Sequence, residues 1–251
     1  RIRMVNPIDC TGAGVFAVIV AAGTGTRFGS DIPKQFLPLG QSTVLMTTVD
    51  AFRRALPEAK IILMLSDDGE AIWRNLCGRY NYESSATIAI GGSTRSETVR
   101  RALAACRAAG ASDDSIIMIH DGARPLVSLQ LIRKLVSSVA EGNSAAVPGY
   151  APTDSMEEMR DGYGVPRLRD NYRCVQTPQT FRAGAIFRAY EEALKRSDSR
   201  LDSSDDATIA ALYGGCNIVV VDGERTNIKI THPDDIAIAE LFLARRSEAN
   251  S

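Results

Sequence analysis

Short apolar runs recur along the chain at Val15–Val20, Ile61–Leu65, Thr87–Ile90, Ile116–Ile119, Ala145–Val147 and Ile218–Val221. They are partly β-branched and mostly continuous rather than alternating, the pattern of strands buried on both faces. Helix-like stretches lie between several of them. Ser96 to Ala109 sets Val99, Leu103 and Cys106 on one face, with Arg100, Arg101 and Arg107 elsewhere. Ser128 is placed to cap a helix with an inner stripe of Leu131, Ile132, Leu135, Val136 and Val139. Alternating β and α units predict an α/β, doubly wound and mostly parallel sheet, with its ligand site at the carboxyl ends of the strands. In the last third, Ser203 or Ser204 is expected to cap a helix with Asp205 and Asp206 in its first turn. Thr231-His232-Pro233-Asp234 is expected to begin the final helix, held to the sheet by Ile236, Ala239, Leu241 and Phe242.

The first run leads directly into Ala21-Ala22-Gly23-Thr24-Gly25-Thr26-Arg27-Phe28-Gly29, and Pro33-Lys34-Gln35 follows shortly after. Small residues let a polyphosphate come close to backbone N–H groups, and Arg27 and Lys34 can neutralise its charge. A dinucleotide fingerprint needs G-x-G-x-x-G/A, but the third glycine falls one residue late, at Gly29. A Walker loop needs Gly-Lys-Ser/Thr, which is absent here. The glycines alone also suit a plain turn with positive φ at Gly23 and Gly25.

The formal net charge of −1 gives no broad electrostatic footprint for nucleic acid, so an anionic ligand must be met by locally placed cations. Five scattered cysteines without C-x-x-C pairs point to reduced thiols and a cytoplasmic location. No apolar run reaches the length of a membrane span. Residues 1–14 read as a flexible leader, 15–246 as a single domain and 247–251 as a tail. Residues 149–169 carry Pro152, Pro166, several charges and no helical stripe, which is long for a loop without structure of its own.

Further segments end on polar residues suited to a ligand edge. Gly91-Gly92-Ser93-Thr94-Arg95-Ser96 runs from a strand into a helix, either closing over a base or forming an ordinary turn capped by Ser93 or Ser96. His120-Asp121-Gly122-Ala123-Arg124-Pro125 follows a strand, and Asp121 is either a ligand-edge carboxylate or a turn aspartate. His120 suits orienting that turn better than ligating a metal, since no second histidine supports a site. Lys229 interrupts a strand-like run and either faces a cleft or sits exposed on a strand.

Taken in order, AAGTGTRFG, PKQF, GGSTRSETVRRAL, HDGARP, PTDS, QTPQTF, SSDDA and NIKITHPDD resemble the sugar nucleotidyltransferases. Within that superfamily the set is most similar to the 2-C-methyl-D-erythritol 4-phosphate cytidylyltransferase family, over nearly the whole chain. The resemblance implies a Rossmann-like fold with 149–169 as a projecting β-arm that crosses to a second subunit of a homodimer. It implies attack of a sugar-alcohol phosphate on the α-phosphorus of CTP, with pyrophosphate leaving. A phosphate monoester has a second pKa of about 6, so no side-chain base is required.

By motif match, Arg27 and Lys34 are the implied catalytic pair. Ala21, Ala22, Gly23, Gly25, Gly92, Ser93, Thr98 and Asp121 fall at nucleotide positions. Asp121, Arg124, Ser155, Arg169, Thr177, Ser204 and Lys229 fall at acceptor positions. Relatives often place alanine at Gly122, and threonine at Ser155 and Ser204. Magnesium is implied, held mainly by CTP phosphates rather than by a protein metal site. Expected partners are CTP, a sugar-alcohol phosphate and a second copy of the chain, with neither nucleic acid nor membrane. A ribitol 5-phosphate or other polyol-phosphate cytidylyltransferase shares these features. A dinucleotide oxidoreductase and a non-catalytic nucleotide-binding assembly module are the readings from other classes.

Overall fold

The computed structural model describes residues 14–23, 32–196, 202 and 204–248. Gly25, Arg27, Ser203, Cys10 and most of the leader and tail therefore lie outside the described residues.

Each apolar run becomes a strand of one sheet. In chain order the strands are β1 (Val15–Val20), β2 (Pro38–Leu39), β3 (Ser42–Thr43), β4 (Lys60–Leu65), β5 (Thr87–Ile90), β6 (Ile116–Asp121), β7 (Ala145–Tyr150), β8 (Met156–Arg160), β9 (Tyr163–Arg167), β10 (Cys174–Val175), β11 (Gln179–Arg182) and β12 (Ile218–Asp222). The helices are α1 (Val44–Ala55), α2 (Asp67–Arg79), α3 (Arg95–Ala108), α4 (Leu129–Ala140), α5 (Ala183–Arg196), α6 (Asp206–Gly214) and α7 (Asp234–Glu248).

β1 lies between β4 and β6, parallel to both, and β5 extends the sheet beyond β4. β11 runs antiparallel between β6 and β7, while β12 pairs parallel with the other edge of β7. β10 is also antiparallel to β7, on the edge opposite β12, so β10 and β11 form one interrupted strand. The sheet is mostly parallel, as the runs predict, with a reversed strand inserted. The chain leaves β1 towards β4 and β5, then returns to its other side at β6. That change of direction opens a crevice at the carboxyl ends of β1 and β6.

Burial follows the two-residue period of the strands. Phe16 and Val18 face a core shared with Val99, Leu103, Ile186 and Phe187, whereas Ala17 and Ile19 face Leu45, Val49, Trp73 and Leu135. Complete burial of a side chain such as Ile19 stabilises by about 1.5–3 kcal/mol. A smaller cluster of Leu39, Val44, Ala123, Leu126, Ile230 and Ala239 lies under α7.

Several local expectations are corrected. Asp205 rather than Ser203 or Ser204 caps α6, accepting from the Thr208 N–H. Thr94 rather than Ser93 or Ser96 caps α3, accepting from the Glu97 N–H. Ser128 caps α4 as expected. Segment 227–231 is not a strand, because Ile230 N–H donates to the Ala123 carbonyl at 2.8 Å and no ladder forms. Residues 156–167 form a two-stranded sheet separate from the main one, turning at Asp161-Gly162 with φ of 49° and 86°. Positive φ at both turn residues suits the right-handed twist of a tight hairpin.

Candidate active site

Register places Val20 beside Asp121 at the carboxyl ends of β1 and β6. Ala21 N–H then donates to the Met64 carbonyl at 2.9 Å, and Gly122 N–H to the Val20 carbonyl at 2.8 Å. The start of the glycine-rich loop is held from the opposite side by buried Gln35, whose Nε2 donates to the carbonyls of Ala21 and Gly23 at 2.8 and 2.9 Å. Gln35 sits in a single 3-10 turn, Lys34–Phe36, so its bonds also anchor the turn that carries half-buried Lys34.

The second loop presses on the first. A Cβ on Gly91 would stand 2.5 Å from the Ala22 Cβ, so only glycine allows this approach. Glu97 braces the loop, its carboxylate accepting from Ser93 N–H and Oγ at 2.8 and 2.9 Å and from Arg101 at 2.6 Å. The Ser93 backbone bond, then its hydroxyl and Arg101, hold the Glu97 carboxyl at about 2. Thr98 is 2% exposed, and its hydroxyl accepts from Gly92 N–H at 2.9 Å. In this arrangement Thr98 acts on the loop from beneath.

Asp121 gathers cations. Lys229 Nζ lies 2.9 Å from its Oδ2 and Arg124 Nε 3.4 Å from the same atom. Burial alone would raise the carboxyl pKa, but Lys229, Arg95 and Arg124 together hold it well below the usual carboxylate range. Asp121 is therefore ionised at any physiological pH. Arg124 is fixed by a donated bond from Nη1 to the Asn227 carbonyl at 2.9 Å, and Gln176 Nε2 donates to that carbonyl at 3.0 Å. Asn227 in turn donates to the Thr177 carbonyl at 2.9 Å.

Behind Asp121, its own N–H donates to Thr177 Oγ1 at 3.1 Å. The Thr177 hydroxyl hydrogen then goes to His120 Nδ1, 3.0 Å away, leaving Nε2–H to donate to the Arg124 carbonyl at 3.0 Å. This arrangement assigns the ring tautomer. Burial is the main cause that pushes the His120 pKa down to about 4, so the ring is neutral with both nitrogens committed. It orients the turn and is not a base for chemistry.

The structure thus brings Asp121, the last residue of β6, and Lys34, in its 3-10 turn, to the same end of the sheet as the loop residues Ala21, Ala22, Gly23, Gly92, Ser93, Arg124, Thr177 and Lys229. Ser204 immediately precedes the α6 cap. Ser155 and Arg169 flank the 156–167 hairpin and are exposed; Arg169 donates to the Thr153 carbonyl at 2.8 Å. Among the described residues, neither makes a hydrogen bond or ion pair with the Asp121 cluster. Gln35, Gln176 and Asn227 are the positioning residues that sequence reasoning missed. Each lies inside a recognised motif, but nothing in its spacing marks an inward-facing amide.

Comparison with known proteins converges on one family. Residues 15–245 match the family model for 2-C-methyl-D-erythritol 4-phosphate cytidylyltransferase. A protein of that name from Bacteroides fragilis is 36% identical over 227 residues, covering 90% of this chain and 98% of its own. Another, from Rubrobacter xylanophilus, is 36% identical over 244 residues, covering 95% and 99%. The crystal structure of the enzyme of that name from Thermus thermophilus is 32% identical, with a TM-score of 0.71 and coverage of 92% and 99%. The 4-diphosphocytidyl-2C-methyl-D-erythritol synthase of Anaerococcus prevotii superposes with a TM-score of 0.76 at 28% identity, covering 93% and 99%.

Proposed function

The chain belongs to the 2-C-methyl-D-erythritol 4-phosphate cytidylyltransferase family, and from that premise we propose how its residues divide the work of cytidylyl transfer. The enzyme transfers the cytidylyl group of CTP to 2-C-methyl-D-erythritol 4-phosphate. It yields 4-diphosphocytidyl-2-C-methyl-D-erythritol and pyrophosphate in isoprenoid precursor synthesis. The observation that carries the division of labour is the Lys229–Asp121 pair at the crevice between β1 and β6.

The acceptor phosphate arrives already largely ionised, with a second pKa of about 6. Its oxygen attacks the α-phosphorus in line, the new P–O bond forms, and the bond to the β-phosphate oxygen breaks to release pyrophosphate. Catalysis then rests on holding two polyanions together and stabilising the charge that builds on the α-phosphoryl oxygens. Arg27 and Lys34 take the triphosphate in this reading, supported for Lys34 by the Gln35 clamp that ties its turn to the loop. Ala21, Ala22, Gly23, Gly25, Gly92 and Ser93 line the nucleotide, with Thr98 bracing them. Lys229 takes the acceptor phosphate. Its ammonium has three donors and its side chain is 41% exposed, so it can keep Asp121 while binding a phosphate oxygen. Arg124, Thr177 and Ser204 complete the acceptor wall.

Magnesium fits as an ion carried by the triphosphate. Among the described residues no group of three or more histidines, cysteines or carboxylates forms a cage, and Asp121 supplies a hard carboxylate oxygen at the crevice. When bound, the ion offsets triphosphate charge.

Residues 15–246 are read as one catalytic domain, with 149–169 as the arm of a homodimer. Supporting this is a hairpin outside the main sheet that leaves Met159 67% and Tyr163 79% exposed. Ser155 and Arg169 then act on the partner's acceptor site. A cytoplasmic location belongs to the same reading; no described helix is long and apolar enough to cross a membrane.

The test is pyrophosphate release by purified protein with CTP and either 2-C-methyl-D-erythritol 4-phosphate or ribitol 5-phosphate. Turnover with the first and little with the second is expected. The reverse result would replace the acceptor while leaving the nucleotidyl chemistry.

A further inference from the structure

α3 and α6 meet at their N-termini, and the contact is an ion pair. Arg95, the first residue of α3, donates from Nη1 and Nη2 to the two carboxylate oxygens of Asp206 at 3.1 and 2.6 Å. Asp206 is 0% exposed, in the first turn of α6, and also accepts from Tyr190 Oη of α5 at 2.6 Å. One residue along, Ser96 Oγ bonds to Asp202. On the far side, Gln179 of β11 donates to Asp205 at 2.7 Å and accepts from Ala207 N–H at 2.8 Å. Asp202 is therefore held to α3, and Asp205 to Ala207 are fixed between α3 and the sheet.

The pairing has little freedom. A bidentate guanidinium–carboxylate contact fixes angle as well as distance. A fully buried carboxylate deprived of its cation is strongly destabilised, so the two segments cannot separate cheaply. Both helix N-termini carry partial positive charge and would repel each other without a carboxylate between them. The same N-terminal turns of α3 also hold the nucleotide-side loop, through Glu97 to Ser93 and through Arg101 Nη1 to the Gly91 carbonyl at 2.7 Å. The positive charge of Arg95 also reaches Asp121.

We propose that the Arg95–Asp206 pair is a latch coupling the nucleotide subsite at Gly91–Ser93 to the acceptor wall at Ser204, so that filling one subsite strengthens binding at the other. This rests on the assignment of those two segments to CTP and to the acceptor given above. Arg95 is a positioning residue: it acts through α3 and α6 and need not touch either substrate. Coupling between sites is reciprocal, so each ligand must raise the affinity of the other by the same factor.

Calorimetry tests the latch. The acceptor 2-C-methyl-D-erythritol 4-phosphate is titrated into full-length protein with and without a saturating α,β-methylene analogue of CTP, and the analogue is titrated with and without the acceptor. The wild-type enzyme should show one common factor, in the range of about 5–150-fold typical of coupled sites. Arg95→Lys keeps the charge and loses the fork. Its factor should fall towards one while each ligand alone binds within about threefold of wild type. Tyr190→Phe, which removes one donor to Asp206 and keeps the ring, should lower the factor partway. A wild-type factor of one, or an unchanged factor in Arg95→Lys, overturns the latch. Loss of analogue binding alone in Arg95→Lys would make Arg95 a direct contact and overturn it too. Failure of the wild-type protein to bind the analogue at all is a separate outcome, which overturns the nucleotide assignment and the latch with it.

Discussion

Lys229 Nζ stands 2.9 Å from Asp121 Oδ2, joining a residue near the end of the chain to the tip of a central strand. The carboxylate holds the ammonium at the crevice before any phosphate arrives, which lowers the ordering cost of binding. Lys229→Ala should therefore weaken acceptor use far more than CTP binding. A loss of about 10²-fold in kcat/KM for the acceptor is expected, with the dissociation constant of a CTP analogue little changed. Equal loss of both affinities in calorimetry would reject the assignment.

Lys34 belongs to the triphosphate in the proposed scheme. Lys34→Ala should lower kcat by about 10²–10³-fold, as for removal of other transition-state charge donors. Quench-flow measurement of a single turnover isolates the chemical step. A variant that merely raises KM for CTP would place Lys34 in ground-state binding instead.

The buried ring of His120 predicts a pH-dependent stability. Its pKa is about 4 in the folded protein and returns to the ordinary 6.5 on unfolding. The unfolded chain thus binds a proton below pH 6.5 that the folded chain refuses until about pH 4. Stability is full above pH 6.5 and declines as pH falls to 4, by about 3 kcal/mol in all. Asp121 and Glu97, with depressed pKa values, add losses only at lower pH, as pH falls below their unfolded values. Urea unfolding between pH 4.5 and 6.5 should show this slope in the wild type and not in His120→Gln. Equal slopes would assign the titration elsewhere.

Gly122 sits where an added Cβ would lie 2.9 Å from the Ala21 Cβ, 3.0 Å from Leu45 Cδ1 and 3.1 Å from the Val20 carbonyl. Gly122→Ala should destabilise by about 1–3 kcal/mol through overpacking. Ala21→Gly in the same chain should recover part of that loss, because it removes the nearest of the three atoms. Thermal melts of both singles and the double variant decide it; strict additivity would mean the two Cβ atoms never compete.

Mixing two inactive variants tests the arm. If Arg169 serves the partner's site, a mixed dimer of Lys229→Ala and Arg169→Ala subunits has one intact site and one doubly defective site. Random reassociation of equal amounts should then restore about a quarter of wild-type activity. Activity that stays at the level of the separate variants would confine Arg169 to its own subunit.

Much of this organisation was legible in sequence. Continuous β-branched runs such as Ile116–Ile119 have few alternatives to a buried strand, and Ser128 ahead of an apolar stripe is a cap with a mechanism. Where several capping residues adjoin, local chemistry cannot choose. Asp205 beside Ser204 is held by Gln179, and Thr94 caps α3 while the Ser93 and Ser96 hydroxyls are engaged by Glu97 and Asp202. Lys229 between Ile228 and Ile230 mimics strand alternation, yet its alternation comes from one small apolar cluster rather than a ladder. The reversed strand β11 was likewise hidden, because Gln179–Arg182 lacks a long apolar run. The hairpin at Asp161-Gly162 did carry a local turn signal.

The cluster beneath α7 has a consequence for the order in which the enzyme is made. Synthesis proceeds from the N-terminus, and the strands and loops assigned to CTP leave the ribosome first. Ile230 acquires its cover from Ala239 only after α7 has emerged behind all the elements of the sheet. A nascent chain stalled before α7 should thus meet nucleotide with an unfinished acceptor side.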